Sequence, residues 1–262
     1  MDQDTPSGQR PNHWRMNWLI GCHLAAALLL GSWLWAPTRS VWDWVDERIF
    51  LALNGTLAWG EQWQWIWAVW NTGKWDTVSG VIMIGLLMVY MFGYRPRLRQ
   101  RMAEAAFIGL TILAIVMLFR EVIFEIWSIT RHSPSLVIDE AYRLSELVPG
   151  IRAKDQATDS FPGNHGIVCF TFITLMWRFT NWRYASVATV LGIWYVLPRM
   201  LGGAHWFTDI AVGSAALALV TMSWVLATPL ERRARYYLLL GIDAVGRRIP
   251  MFQRDPLPDK RQ

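Results

Sequence analysis

The chain has 262 residues, of which 53% are hydrophobic and only 17% charged, and its mean hydropathy is positive. This balance excludes an ordinary soluble globular domain of that length. The net charge of +5 is no nucleic-acid footprint, because no basic patch is interleaved with aromatics on a soluble stretch; it reads as a bias of the loops between apolar blocks.

Residues 1–12 are polar and rich in turn formers. They lack the short apolar core and small-residue site of a cleavable signal, so the first apolar block, residues 18–35, is expected to remain as an anchor. Further blocks follow at 78–94, 105–119, 166–177, 184–201 and 207–226. A helix rising about 1.5 Å per residue needs roughly 20 residues to cross the hydrocarbon core, a length most of these blocks reach with their flanks. The expectation is an all-α polytopic membrane protein with six transmembrane helices. Between the first two blocks, Trp63, Trp65, Trp67, Trp70 and Trp75 predict an interfacial helix with its rings at the headgroup level. Cys22 and Cys169 both fall inside apolar blocks, which argues against a disulfide or a metal-binding thiolate.

Lys and Arg are retained on the cytoplasmic side of a membrane. Arg10 and Arg15 precede the first block, Arg95, Arg97, Arg99 and Arg101 follow the second, Arg178 and Arg183 follow the fourth, and Arg232, Arg233 and Arg235 follow the sixth. Both termini are therefore expected in the cytoplasm, and the loops after spans one, three and five on the far side, which in a bacterium is the periplasm. The organisation reads as a cytoplasmic segment over 1–16, a six-helix catalytic membrane domain over 17–229 and a basic cytoplasmic tail over 230–262. The tail is expected to be amphipathic at first and flexible at its end, with Pro256 and Pro258 among charges.

Ionisable side chains are costly at membrane depth, so those beside a span are functional candidates. Three clusters qualify, all on loops of one predicted side: residues 130–134 around Arg131 and His132, residues 159–165 ending in His165, and residues 198–209 containing Arg199, His205 and Asp209. His205 and Asp209 stand four apart at a helix start, on one face. A carboxylate there can take the proton of one imidazole nitrogen and leave the other as a nucleophile. Arg199, across a Gly-Gly turn, can present its planar fork to a phosphoryl group. Pro162 and Gly163 open a helix whose free backbone N–H groups suit an anion, with His165 beside it to protonate a leaving oxygen. Arg131 adds a further cation for the three equatorial oxygens. A metal site of His165, His205 and Asp209 is disfavoured, because the adjacent arginines belong around a phosphate.

These clusters resemble the three signature motifs of the type 2 phosphatidic acid phosphatase superfamily, Lys-x6-Arg-Pro, Pro-Ser-Gly-His and Ser-Arg-x5-His-x3-Asp. Arg199, His205 and Asp209 keep the third spacing, with Pro198 in place of Ser; the second reads Pro162-Gly163-Asn164-His165; in the first, Arg131 is followed by Pro134 three residues on, and Phe124 holds the lysine position. The departures, with the segments 131–136, 143–147, 203–210 and 224–230, resemble the branch of undecaprenyl-diphosphate-dependent lipid A phosphotransferases of the Gram-negative inner membrane. The resemblance implies a metal-independent ping-pong reaction that needs no cofactor. His205 attacks the terminal phosphorus of undecaprenyl diphosphate, oriented by Asp209, and His165 protonates the leaving undecaprenyl phosphate and then serves as base for the 1-phosphate of lipid A. Arg131, Arg199 and the backbone at Gly163 and Asn164 hold the phosphoryl oxygens, and Lys154 is the candidate replacement for the missing lysine. The competing readings are a phosphatase acting on undecaprenyl diphosphate or phosphatidylglycerophosphate, and a non-catalytic membrane protein with a phosphate pocket.

Overall fold

The computed structural model describes residues 14–93, 97–119, 121 and 129–246. Phe124 lies outside them. The first apolar block forms α1 (Met16–Leu34), whose buried residues Leu19, Ala26 and Trp33 recur every seven positions and so make one narrow stripe. An extended Trp35 then bends the chain into α2 (Ala36–Asn54), with Pro37 in its first turn, where a missing N–H costs nothing. Helix α2 carries the charges Arg39, Asp43, Asp46, Glu47 and Arg48 and buries Asp46, Phe50 and Asn54, four residues apart on one face. A short 3-10 turn (Gly55–Trp59) and Gly60, at φ 130°, lead into α3 (Glu61–Trp70). The tryptophans of α3 divide: Trp65 is exposed, whereas Trp67 is buried and Trp70 packs on Trp75 and Trp194.

The membrane body is a set of long helices running back and forth. Helix α4 (Gly73–Phe92) starts at Thr72, which caps it by accepting from Trp75 N–H. Next come α5 (Leu98–Leu118), two single turns α6 (Pro134–Val137) and α7 (Leu144–Leu147), then α8 (Asn164–Phe179) and α9 (Trp182–Leu201). A π-helical turn (Asp209–Ser214) runs into α10 (Ala215–Ala227), and the amphipathic α11 (Leu230–Gly246) closes the described chain. Among the described residues, five helical stretches are long and apolar enough to cross a membrane: α1, α4, α5, α9 and the combined Asp209–Ala227. Helix α8, at 16 residues, is shorter than these and occupies the centre. Its Phe172, Leu175 and Met176 are fully buried in a cluster with Ile108 and Ala188.

Lipid tails are as apolar as leucine, so helices in a bilayer are fastened by close packing at small residues. Gly166 packs so tightly on Ser214 that no Cβ fits, and Gly192 is packed in the same way against Ile173. The antiparallel course puts Tyr90, Glu104 and Phe179 together at one end, where Tyr90 Oη donates to Glu104 (2.6 Å) and to the Phe179 carbonyl (3.0 Å). Helix α11 joins this end through Arg235, 2.7 Å from Glu231 and 3.5 Å from Glu104. At the other end lie the start of α4, the starts of α8 and of the π turn, and the end of α9. All three motif clusters gather there.

Candidate active site

Pro198 and Arg199 end α9, and the chain turns back through Gly202 and Gly203. Gly203 sits at φ +88° with its Cα against Ser135, where a side chain would be strained and crowded. The Arg199 carbonyl accepts from the N–H groups of both Ala204 (2.9 Å) and His205 (3.2 Å), which fixes the turn. His205 Nδ1 lies 2.9 Å from the Ser160 carbonyl and 3.5 Å from Asp209 Oδ2. A carbonyl only accepts, so Nδ1 carries the proton and Nε2 is left with its lone pair. The ring lines the cavity described below. The Ser160 carbonyl is thus the closer orienting group, a backbone atom that no motif reveals, and Asp209 supplies the adjacent charge.

Behind His205 is a buried ionic network. Asp209, fully buried, accepts from Trp206 N–H (2.7 Å) and from Arg131 Nη1 (2.7 Å). Arg131 Nη2 donates to Asp46 (2.6 Å), and Asp46 also accepts from the Thr208 N–H (2.8 Å) and hydroxyl (2.6 Å). Burial pushes the Asp46 carboxyl above the ordinary carboxylate range, against the pull of Arg131 and Thr208. The Arg131 guanidinium lies over the Trp33 and Trp206 rings, at 5.4 and 5.0 Å. Asp46, Asp209 and, at 3.8 Å, Asp43 face the Arg131 guanidinium, and Arg39 pairs with Asp43 at 2.7 Å. Three carboxylates against two guanidinium groups leave a net negative charge behind the imidazole, which favours the cationic ring formed when Nε2 makes a bond. Arg131 therefore stands behind His205 with both terminal nitrogens engaged, not on the cavity wall.

The cavity has a volume of about 580 Å³. Its polar wall includes His165, Arg199, His205, Lys154, Asp159 and Asn164, and its apolar wall Val116, Phe119, Ile167 and Val168. The His165 and His205 rings are 6.0 Å apart between centroids, close enough for both to touch one bound group. His165 Nε2 lies 3.4 Å from Arg199 Nε and 3.4 Å from Asp76 Oδ1, while its Nδ1 is buried without a partner among the described residues. The Gly163 N–H donates to the Asp209 carbonyl (3.0 Å) and is not available to an anion. Asn164, one residue on, opens α8, and its N–H has no acceptor among the described residues. Asp159 Oδ1 is buried without a partner among the described residues, and burial, with the Asp209 charge adding to it, pushes that carboxyl up.

Two residues outside the motif clusters complete the site. Arg199, 2% exposed, donates through Nη2 to both oxygens of Asp76 (2.7 and 2.7 Å) and through Nη1 to the Asn71 side chain (2.6 Å) and carbonyl (3.0 Å). Lys154 Nζ lies 3.1 Å from Asp76, and its backbone N–H donates to the Asn71 carbonyl (2.8 Å). Lys154 thus reaches the same cavity as His165 and Arg199. Asp76, in the first turn of α4, falls two residues before the apolar block drawn at 78–94; extending the rule for charges beside spans to that flank finds it. Asp46 carries a weaker signal, that a buried arginine requires an anion. Among the described residues, no three His, Cys, Asp or Glu side chains converge as a metal-ligand set.

The sequence profile of the PAP2 superfamily matches residues 105–233, a span that contains all three clusters. An Escherichia coli K12 protein, lipid A 1-diphosphate synthase, is 31% identical over 215 residues, covering 82% of this chain and 89% of its own length. No solved structure matches the chain significantly.

Proposed function

The chain belongs to the PAP2 superfamily, as a multi-pass membrane enzyme acting on lipid phosphates, and from that premise we propose that it moves the terminal phosphoryl group of undecaprenyl diphosphate to the 1-phosphate of lipid A. The observation that carries the chemistry is His205. Its Nδ1–H is fixed by the Ser160 carbonyl, its Nε2 belongs to a ring on the cavity wall opposite His165, and a net negative network lies behind it.

In the first half-reaction His205 Nε2 forms a bond to the terminal phosphorus as the bond from that phosphorus to the bridging oxygen breaks. The electron pair leaves on undecaprenyl phosphate, and His165 gives that oxygen a proton. In the second half, His165 takes the proton of a lipid A 1-phosphate oxygen as that oxygen attacks the phosphorus of the phosphohistidine, and the electron pair of the broken P–N bond returns to Nε2. The products are lipid A 1-diphosphate and the free imidazole. Lys154 and the Asn164 N–H donate to the equatorial oxygens. Arg199, whose N–H groups are engaged by Asp76, Asn71 and His165, stabilises them through its charge at the cavity wall, and Arg131 acts through Asp209. The name of the E. coli relative supports the acceptor. The donor is the chemical partner with an equivalent diphosphate and a membrane tail.

The accompanying topology is six crossings with α8 as the fourth, both termini in the cytoplasm, and the site at the periplasmic face of a bacterial inner membrane. The test is to incubate purified enzyme with terminally labelled undecaprenyl diphosphate and lipid A beside a His205→Ala control. Label on lipid A, absent from the control, is the expected result. Label released only as free phosphate assigns the chain a phosphatase activity instead.

A further inference from the structure

We propose that Asp76 is a positioning residue for phosphoryl transfer, holding the cations Arg199 and Lys154 together with His165 from behind the cavity wall. The proposal rests on the functional reading above and deepens it.

The three groups come from segments far apart in the chain. Lys154 is on the loop before α8, His165 is in the first turn of α8, and Arg199 is in the last turn of α9. Long cationic side chains have many rotamers and like charges repel, and the direct links between the three segments are long, 3.4 Å from Arg199 Nε to His165 Nε2 and 3.4 Å from Arg199 Nη1 to the Lys154 carbonyl. One carboxylate meets all of them: Asp76 is 2.7 Å from Arg199 Nη2 through each oxygen, 3.1 Å from Lys154 Nζ and 3.4 Å from His165 Nε2. Asn71, five residues earlier, receives Arg199 Nη1 and the Lys154 N–H. A single stretch, the end of α3 and the first turn of α4, therefore sets both cations.

Asp76 itself does not line the cavity, whereas Lys154, His165 and Arg199 do. A carboxylate in that place leaves the phosphoryl site clear. It also leaves charge to spare, since one negative charge faces Arg199 and Lys154 together, so an anion still meets a net positive wall. The short side chain suits the role: Asp76 is anchored on a helix that Thr72 caps through Trp75 N–H, so the carboxylate moves little.

The test uses the full-length enzyme in detergent or nanodiscs, comparing wild type, Asp76→Asn, Lys154→Ala and the double variant. Asp76→Asn keeps the size and loses the charge. The expected result is a fall in kcat of about a hundredfold, as for a small misplacement of reacting groups, with KM changed little because the lipid tails supply most of the binding. Lys154→Ala is expected to add almost nothing in the Asp76→Asn background, since residues acting as one unit are not additive. Thermal unfolding of Asp76→Asn within a few degrees of wild type keeps that loss from being a folding defect. Wild-type kcat in Asp76→Asn, beside an inactive His205→Ala, overturns this inference alone, as does full additivity with Lys154→Ala. A wild-type enzyme that moves no label overturns the functional reading and this one with it.

Discussion

The two arginines of the site do different work, although the motifs present them as a pair. Arg199 borders the cavity, and Arg131 is enclosed by Asp46, Asp209 and Thr208. A lysine at 131 offers a point charge where a planar fork spans two carboxylates, and leaving a buried carboxylate unpaired costs about 3–5 kcal/mol. Arg131→Lys is thus expected to lower the thermal unfolding midpoint by several degrees and to lose activity with it. Arg199→Lys is expected to lose activity with a smaller stability change. Scanning fluorimetry alongside turnover separates the two, and equal stability losses contradict the assignment. The third motif was legible at this scale because four-residue spacing puts His205 and Asp209 on one face. The Ser160 carbonyl, Asp46, Asn71 and Asp76 were not, since each reaches the site across more than 40 positions or through a backbone atom.

At the scale of elements, the turn between α9 and the π segment determines where His205 points. Gly203 lies in the left-handed region with Ser135 against it. Gly203→Ala is expected to strain that turn by about 1 kcal/mol or more and to displace the imidazole, with turnover falling more steeply than stability; unchanged turnover would show that the turn is not the determinant. The six apolar blocks each fall on a helical stretch, and five of those stretches are long and apolar enough to cross a membrane, because apolar runs of that length have few other uses. Helix α2 was hidden in the loop after the first block, since Arg39, Asp43, Asp46, Glu47 and Arg48 break up its apolar residues with charge. Its buried face is visible only once Asp46, Phe50 and Asn54 are seen to recur every four residues. The tryptophan run also behaves less uniformly than its composition implies, because Trp67 and Trp70 are drawn inward against Trp194.

Across the whole molecule, charge separates by end. The site end gathers paired carboxylates and cations around a cavity, and the opposite end ties α11 to α5 through Arg235, Glu104 and the Arg99–Asp243 pair. The proposed orientation puts Trp59, 72% exposed, in the periplasm and Tyr237, 68% exposed, in the cytoplasm. In a background lacking Cys22 and Cys169, Trp59→Cys is expected to react with an impermeant maleimide in intact spheroplasts, and Tyr237→Cys only after permeabilisation. The reverse pattern inverts the topology.

The account turns on a covalent intermediate at one nitrogen. The most direct measurement is a single-turnover reaction of the enzyme with terminally labelled undecaprenyl diphosphate and no acceptor, quenched and mapped by peptide mass spectrometry. The predicted result is one phosphoryl group on His205, acid-labile and base-stable, which passes to lipid A when acceptor is added. An enzyme that turns over without ever carrying phosphate on His205, or that carries it equally well after His205→Ala, contradicts the account.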